Sequence, residues 1–262
     1  MSIRNHLMLP ILALAIGLHF ASSAEAAPAA APPAPPAKTV VLVHGAFADG
    51  SSWNAIVPLL QAKGLKVIVV QNPLSSLADD VQFTSRAIND AQGPVVLVGH
   101  SWGGAVITQA GSDDKVKALV YVAAFAPSVG QSLVDTVKAF PTPAGFASIV
   151  ADRAGFLKLP PEAVAKYFAP DLPAAQANLI AVSQGALFGK NVEDKLTKAA
   201  WETRPSWYVV AENDQMFNPA AQRDAAKKIK ATVTALPTSH VPMLSRPKDV
   251  AEVIIAAANH IK

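Results

Sequence analysis

Residues 94–104 read PVVLVGHSWGG, an apolar run followed at once by a serine between glycines. The run is typical of a buried parallel strand, and the residues after Gly104 have the composition of a helix. A serine at such a strand-to-helix turn is lifted above the sheet in a strained backbone conformation, and Gly99 and Gly103 leave room for that turn. The stretch therefore predicts that Ser101 is a catalytic nucleophile and that the chain is an enzyme.

The positions of the histidines narrow the choice of catalytic base. A serine on such a turn is followed in the chain first by its acid and then by its histidine. After Ser101 come only His240 and His260. His260 is close to the C-terminus, where a histidine more simply faces solvent and the negative end of a helix. His240 lies in a turn-rich loop after the strand-like residues 231–236, so we predict that His240 is the base.

The acid of the triad is expected between the serine and the histidine, at the carboxyl end of a strand. Residues 207–211 read WYVVA, and Glu212 and Asp214 follow that run. Either carboxylate could accept the Nδ1 hydrogen bond of His240, fix its tautomer and stabilise its charged form. Asp214 is the preferred acid and Glu212 the reserve. The carboxylate that is not used would favour the start of a helix near Pro219.

The electrophilic site is predicted to consist of backbone N–H groups. Residues 39–43 read as another buried strand, and the chain turns away from it at residues 44–47. An oxyanion hole next to such a serine uses the N–H of the following residue and one N–H from a loop of this kind, which gives Trp102 and Ala46. The chain has no cysteine and no paired-histidine spacing. His44 is therefore expected to be structural, with no metal or cofactor.

Together these motifs resemble those of the α/β-hydrolase superfamily, over about residues 38–262. The opening VLVHGAF (residues 41–47), the turn GHSWGG (residues 99–104) and the segment ENDQMFNP (residues 212–219) are similar to small carboxylesterases related to plant methylesterases and hydroxynitrile lyases. The resemblance implies a serine hydrolase with a Ser-His-Asp triad that cleaves small, rather apolar carboxylic esters through an acyl-enzyme.

Three other functions stay open on the same scaffold. The related lyases carry a lysine after the triad histidine and a threonine after the first-strand histidine, whereas this chain has Val241 and Gly45. That difference favours ester hydrolysis over cyanohydrin cleavage. Cofactor-free haloperoxidases and perhydrolases share the triad, but usually have methionine where this chain has Trp102. A ligand-binding protein on a hydrolase scaffold is the third alternative, since a fold does not fix a function.

The rest of the pattern predicts an α/β fold with a doubly wound, mainly parallel sheet. Strands are predicted near residues 39–44, 66–71, 94–99, 117–124, 206–211 and 231–236, and helices near 53–63, 78–91, 103–111, 219–229 and 247–260. Residues 128–204 break the alternation with short helical patterns and prolines, which predicts an inserted helical cap. The large apolar residues of this cap either line a substrate pocket or, more simply, form its core: Phe140, Phe146, Phe156, Tyr167, Phe168, Leu187 and Phe188.

The N-terminus has the pattern of a secretory signal. Arg4 precedes an apolar run over residues 7–20 and the motif Ala24-Glu25-Ala26. Residues 1–26 are therefore predicted to be a signal peptide, with export to the periplasm or secretion. The apolar run is shorter than the roughly 20 residues that cross a bilayer, which argues against a stable membrane anchor.

The folded part is predicted to begin near residue 38, after an alanine- and proline-rich linker at residues 27–37. The ~225 residues that follow are enough for one domain, 38–262, with a sizeable core. The net charge is +3, with lysines spread among acidic residues. This pattern gives no support for a nucleic acid partner. The resemblance to small carboxylesterases implies that the partner is a small-molecule ester.

Overall fold

A parallel sheet forms the centre of the computed structural model, which describes residues 38–261. The strands in this part of the chain are β1 (Thr39–Val43), β2 (Lys66–Val70), β3 (Val95–His100), β4 (Val116–Val122), β5 (Val150–Ala151), β6 (Phe156–Lys158), β7 (Leu187–Phe188), β8 (Ser206–Ala211) and β9 (Thr232–Leu236). Six of them form the large sheet in the order β2-β1-β3-β4-β8-β9, and every neighbouring pair is parallel. The predicted α/β fold class is confirmed.

Helices connect these strands. They are α1 (Val57–Gln61), α2 (Leu77–Asp90), α3 (Gly103–Ala110), α4 (Leu133–Val137), α5 (Pro161–Ala163), α6 (Ala174–Ser183), α7 (Pro219–Lys228), α8 (Pro242–Ser245) and α9 (Pro247–His260). A π-helical turn at Val164–Phe168 continues α5, and short 3-10 turns lie at Gly50–Trp53, Phe146–Ser148, Gly189–Glu193 and Ala200–Glu202. No helix within residues 38–261 is both long and apolar enough to cross a membrane. The predicted signal peptide and linker lie outside the described residues.

Burial explains why the central strands read as continuous apolar runs. Every residue of β1, β3 and β8 is buried, because both faces of the middle of a parallel sheet are covered. The edge strand β9 has three exposed residues among its five. The carboxyl ends of parallel strands meet at one edge of the sheet, so the loops after β3, β8 and β9 are brought together there.

Two predicted elements have different bounds in the structure. The helix predicted near residues 53–63 is a 3-10 turn followed by the short helix α1. Pro58 explains the break, because it has no N–H to donate and is tolerated only in the first helical turn, where it stands in α1. Strand β4 ends at Val122 rather than at residue 124, because Ala123 has a φ of 46° and leaves the extended conformation.

The segment between β4 and β8 contains the residues predicted as a helical cap. It has helices α4, α5 and α6, and also a small antiparallel sheet in the order β5-β6-β7 that the sequence pattern did not predict. Strands of two or three residues are too short to show an alternating pattern, and their pairing is a tertiary contact. Several residues of this segment face the cavity above Ser101, among them Phe146, Leu157 and Leu187.

Candidate active site

Ser101 stands on the sharp turn between β3 and α3. Its φ is 49°, a left-handed conformation that is strained for a residue with a Cβ. A Cβ at Gly99 would lie 2.5 Å from the carbonyl oxygen of Gly103, and a Cβ at Gly103 would lie 2.6 Å from that of Val43. Only glycine fits at these two positions, which is the steric reason for the spacing in the sequence.

His240 follows β9 and reaches Ser101 from the neighbouring loop. Its Nε2 is 2.9 Å from Ser101 Oγ, and its Nδ1 is 2.7 Å from Asp214 Oδ2. An ionised carboxylate can only accept, so Nδ1 carries the proton and Nε2 accepts from the serine hydroxyl. All three side chains are buried. The arrangement lets the imidazole take the serine proton while the carboxylate stabilises the resulting charge.

The structure brings Asp214, and not Glu212, to the histidine. Asp214 Oδ1 accepts hydrogen bonds from the backbone N–H groups of Met216 (2.7 Å) and Phe217 (2.9 Å). The carboxylate of Glu212 is partly exposed and pairs with Arg223 on α7. The neighbouring backbone therefore holds Asp214 in place, whereas Glu212 points to a surface ion pair.

The two residues predicted to supply the oxyanion donors lie beside Ser101. Ala46 and Trp102 are buried and line the same cavity as Ser101 and His240. Within residues 38–261 neither backbone N–H group donates to a protein acceptor. A backbone N–H group without a protein acceptor in this cavity can donate to an oxygen that becomes negatively charged during acyl transfer.

The other histidines have structural partners. His44 Nδ1 donates to the carbonyl oxygen of Gly45 (2.9 Å), and its Nε2 accepts from the N–H of Asn72 (2.9 Å). His100 Nε2 donates to the carbonyl oxygen of His240 (2.8 Å). Burial lowers the pKa of His44 and lowers the pKa of His100 well below its usual range, so both stay neutral. Among residues 38–261 no group of side chains is arranged to hold a metal ion.

His260, the other histidine that follows the serine in sequence, lies at the end of α9. Its ring packs edge-on against the ring of Trp207, with 5.3 Å between the centroids. His260 therefore contacts Trp207 and not Ser101, whereas His240 is the histidine that bonds to Ser101.

Three polar residues that support the site were missed by sequence reasoning. Gln222 on α7 is fully buried and donates from Nε2 to Asp214 Oδ2 (2.7 Å). Asp171 accepts from the N–H of Ser239 (2.8 Å), directly before the histidine. Asp80 on α2 accepts from the indole of Trp102 (2.7 Å). Each is a single polar residue without a motif, so no spacing in the sequence marks it.

The cavity above Ser101 is narrow, with a volume of about 40 Å³, and has an apolar wall. Apart from Ser101 and His240, its lining side chains are hydrophobic: Ala46, Phe47, Trp102, Phe125, Leu133, Phe146, Ile149, Leu157, Leu187, Val192, Met216 and Phe217. A second cavity of about 50 Å³ shares four of these residues, Phe125, Phe146, Met216 and Phe217.

Some of the large apolar residues predicted in the cap line a cavity, and others pack against neighbouring side chains. Phe146 and Leu187 line the cavity, and Phe140 lines the second one. Phe156 and Phe188 pack against each other across the small sheet, with ring centroids 5.2 Å apart. Phe168 is buried and packs edge-on against His240, the predicted base, with 5.3 Å between the ring centroids.

Comparison with known proteins places the chain among hydrolases. A model of the alpha/beta hydrolase family matches residues 40–253. A pyrethroid hydrolase of Sphingobium wenxiniae is 29% identical in an alignment of 244 residues, which covers 82% of this chain and 85% of that protein. Methylesterase 2 of Arabidopsis thaliana is 24% identical, over 84% of this chain and 95% of its own. The structure of polyneuridine aldehyde esterase aligns with a TM-score of 0.72 at 20% identity, covering 85% of this chain and 99% of that one.

Proposed function

Because this chain belongs to the alpha/beta hydrolase family, we propose that it is a carboxylesterase that cleaves apolar esters through an acyl-enzyme on Ser101. One observation carries the proposal: Ser101, His240 and Asp214 form a hydrogen-bonded line at the floor of an apolar cavity. One relative is named a pyrethroid hydrolase and another a methylesterase, and these names support hydrolysis of an ester.

The first half-reaction acylates the serine. His240 Nε2 removes the proton of Ser101 Oγ as that oxygen attacks the ester carbonyl. The negative charge that develops on the carbonyl oxygen is stabilised by the N–H groups of Ala46 and Trp102. His240 then gives its proton to the departing alcohol, and Asp214 stabilises the imidazolium between these two transfers.

The second half-reaction returns the enzyme to its starting state. A water molecule takes the place of the alcohol, loses a proton to His240 Nε2 and attacks the acyl-enzyme. The bond between the acyl carbon and Ser101 Oγ breaks, the imidazole returns its proton to that oxygen, and the acid leaves. The alcohol receives the proton of Ser101 through His240, and the water molecule replaces that proton by the same route, so the triad ends in its starting protonation state.

The cavity wall supports an apolar substrate. Its lining has no charged side chain, so an ester with a charged group near the carbonyl would lose hydration without gaining an ionic partner. The position after the triad histidine also supports hydrolysis rather than cyanohydrin cleavage, because Val241 is buried there and offers no cationic group.

Hydrolysis of a p-nitrophenyl ester series, from acetate to decanoate, tests the proposal. We expect steady-state turnover by the purified protein and none above background by the Ser101→Ala variant. Cyanohydrin cleavage and peracid formation are assayed in parallel. A folded protein that turns over one of those substrates but no ester would contradict the proposal in favour of lyase or perhydrolase chemistry. A burst without steady turnover would indicate a ligand-binding protein.

We also propose that the protein is exported. The charged, apolar and Ala24-Glu25-Ala26 segments at the N-terminus support this proposal. N-terminal sequencing of the protein recovered outside the cytoplasm should begin at Ala27. Recovery of the whole chain from the cytoplasm, with Met1 retained, would contradict it.

A further inference from the structure

A buried carboxylate that the triad does not use lies beside the nucleophile turn. Asp80 on α2 has no exposed surface. Its Oδ2 accepts a 2.7 Å hydrogen bond from the indole Nε1 of Trp102, and its Oδ1 accepts a 2.8 Å bond from the backbone N–H of Leu74. One side chain therefore joins the turn after β3 to the loop after β2.

The indole contact bears on the oxyanion hole. Trp102 follows Ser101 directly, and its backbone N–H is one of the two donors proposed above. A side chain fixed at its far end restricts the torsions that connect it to its own backbone. The left-handed φ of Ser101 is strained, so rotation of the peptide between Ser101 and Trp102 would relieve strain. The hydrogen bond from the Trp102 indole to Asp80 opposes that rotation.

The second contact of Asp80 leads to the cap. Leu74 has a φ of 60°, so the loop turns sharply at the residue that donates to Asp80. The carbonyl oxygen of Leu74 accepts from the N–H of Phe188 (2.9 Å) and from the side-chain amide of Asn191 (3.0 Å). The chain of contacts from Trp102 through Asp80 to Leu74 therefore ends at residues that precede Val192 in the cavity wall.

The burial of a carboxylate is a poor way to gain stability. Loss of hydration raises the pKa of Asp80 to about 6, against the opposing effect of its two hydrogen bonds. An apolar residue of similar size would avoid this desolvation penalty. At neutral pH the group is ionised, and only the ionised form offers both oxygens as acceptors to the two N–H groups.

We propose that Asp80 is a positioning residue for the oxyanion hole, which it holds by fixing the side chain of Trp102. The inference rests on the proposed function, because it assigns to the Trp102 N–H a role in acyl transfer. In this role Asp80 does not contact the substrate. It acts only by fixing the position of the Trp102 N–H, directly after the nucleophile.

Asp80→Asn and Trp102→Phe test the inference from both ends of the bond. The first replaces one acceptor by a donor, and the second keeps an aromatic ring but removes the indole N–H. Asp79→Asn is the matched control, since it removes a carboxylate one residue away that bonds to Ser75 and not to Trp102. For each variant we would measure kcat and KM on the best ester, and Ki for the corresponding trifluoromethyl ketone, whose adduct with serine places an oxyanion in the hole.

We expect Asp80→Asn and Trp102→Phe to lower kcat about tenfold to a hundredfold with KM changed less than about threefold. Ki for the ketone should rise by the same factor as kcat/KM falls, because both report stabilisation of the oxyanion. Asp79→Asn should match the wild type in all three constants. The double variant should be no worse than the worse single variant, because both remove the same bond.

Two outcomes would overturn the inference. One is a wild-type kcat in Trp102→Phe, the variant that leaves Asp80 in place and serves where Asp80→Asn does not fold. The other is a fall in kcat without a rise in Ki, which would assign the loss to something other than the oxyanion hole. Absence of ester turnover by the wild type itself would instead contradict the proposed function, so the two failures are distinguishable.

Discussion

Gln222 donates a 2.7 Å hydrogen bond from its side-chain amide to Asp214 Oδ2, the same oxygen that accepts from His240. The amide is itself fixed, because its oxygen accepts from the N–H of Ala211 at the end of β8 (2.9 Å). The strand therefore fixes the orientation of the Gln222 side chain, and Gln222 in turn fixes the carboxylate of Asp214, the proposed acid. Oδ1 of Asp214 accepts from the N–H groups of Met216 and Phe217, and Oδ2 accepts from His240.

Gln222→Leu should weaken this arrangement. The leucine has a similar volume but leaves the Ala211 N–H and one lone pair of Asp214 without partners in a buried place. We expect stability to fall by about 1–3 kcal/mol, and kcat to fall about tenfold to a hundredfold, a rise in the barrier of roughly 1.4–2.8 kcal/mol. Denaturant unfolding and ester kinetics would measure the two effects. Gln176→Leu, an exposed change on α6, is the control, and an equal kcat in both variants would contradict the role of Gln222.

Asp214→Asn should be far more harmful than Glu212→Gln. The asparagine can present an N–H to His240 Nδ1 and so favour the wrong tautomer of the base, a change that costs about 10⁴ in kcat in triads of this kind. Glu212→Gln removes only a partly exposed ion pair with Arg223, which is worth about 1 kcal/mol of stability or less. Kinetics of the two variants on one ester decide the matter. The reverse ranking would make Glu212 the acid.

Phe146→Ala should change the preference for chain length. Phe146 is one of four residues that line both the cavity above Ser101 and the second cavity, so we expect its removal to join the two spaces. We expect kcat/KM for p-nitrophenyl decanoate to rise relative to that for acetate by about tenfold, since each additional buried CH₂ contributes about 0.8 kcal/mol. Phe156→Ala, which removes a ring from the small sheet of the cap, should leave the ratio unchanged. A ratio that stays constant in Phe146→Ala would show that the second cavity takes no part in binding.

The contribution of the Asp80 carboxyl group to the free energy of unfolding should depend on pH. The folded-state pKa of Asp80 is raised, chiefly by burial, from 3.8 to about 6. A raised pKa means that the stabilising effect of the neutral form is complete below pH 3.8 and is lost as the pH rises through 6. The free energy of unfolding of the wild type, relative to that of Asp80→Asn, should therefore fall by about 3 kcal/mol between pH 3.5 and 7. Urea unfolding of both proteins across this range measures it, and a difference that grows with pH would contradict the assignment.

Much of the fold could be read from sequence because its signals are local. Buried parallel strands are apolar on both faces. The glycines around Ser101 are required because a Cβ at either position would clash with backbone atoms. The order of serine, acid and histidine then limited the base to two candidates. These features depend on composition and spacing, which a sequence shows directly.

The residues that support the site could not be predicted in the same way. Gln222 and Asp80 act through tertiary hydrogen bonds over 8 and 22 positions, and a single polar residue in an amphipathic helix normally indicates a solvated face. The choice between Asp214 and Glu212 depended on which carboxylate the loop N–H groups fix. The strands of the cap are too short for a periodic pattern, so their pairing is visible only in three dimensions.

Covalent labelling by a fluorophosphonate, which reacts with a serine activated by its base, tests directly whether Ser101 is the nucleophile. We predict one adduct for each protein molecule, located by peptide mass analysis on Ser101, with ester turnover lost in proportion to the labelled fraction and no label on Ser101→Ala. A label on any other residue, or full turnover by protein labelled at Ser101, would contradict the account.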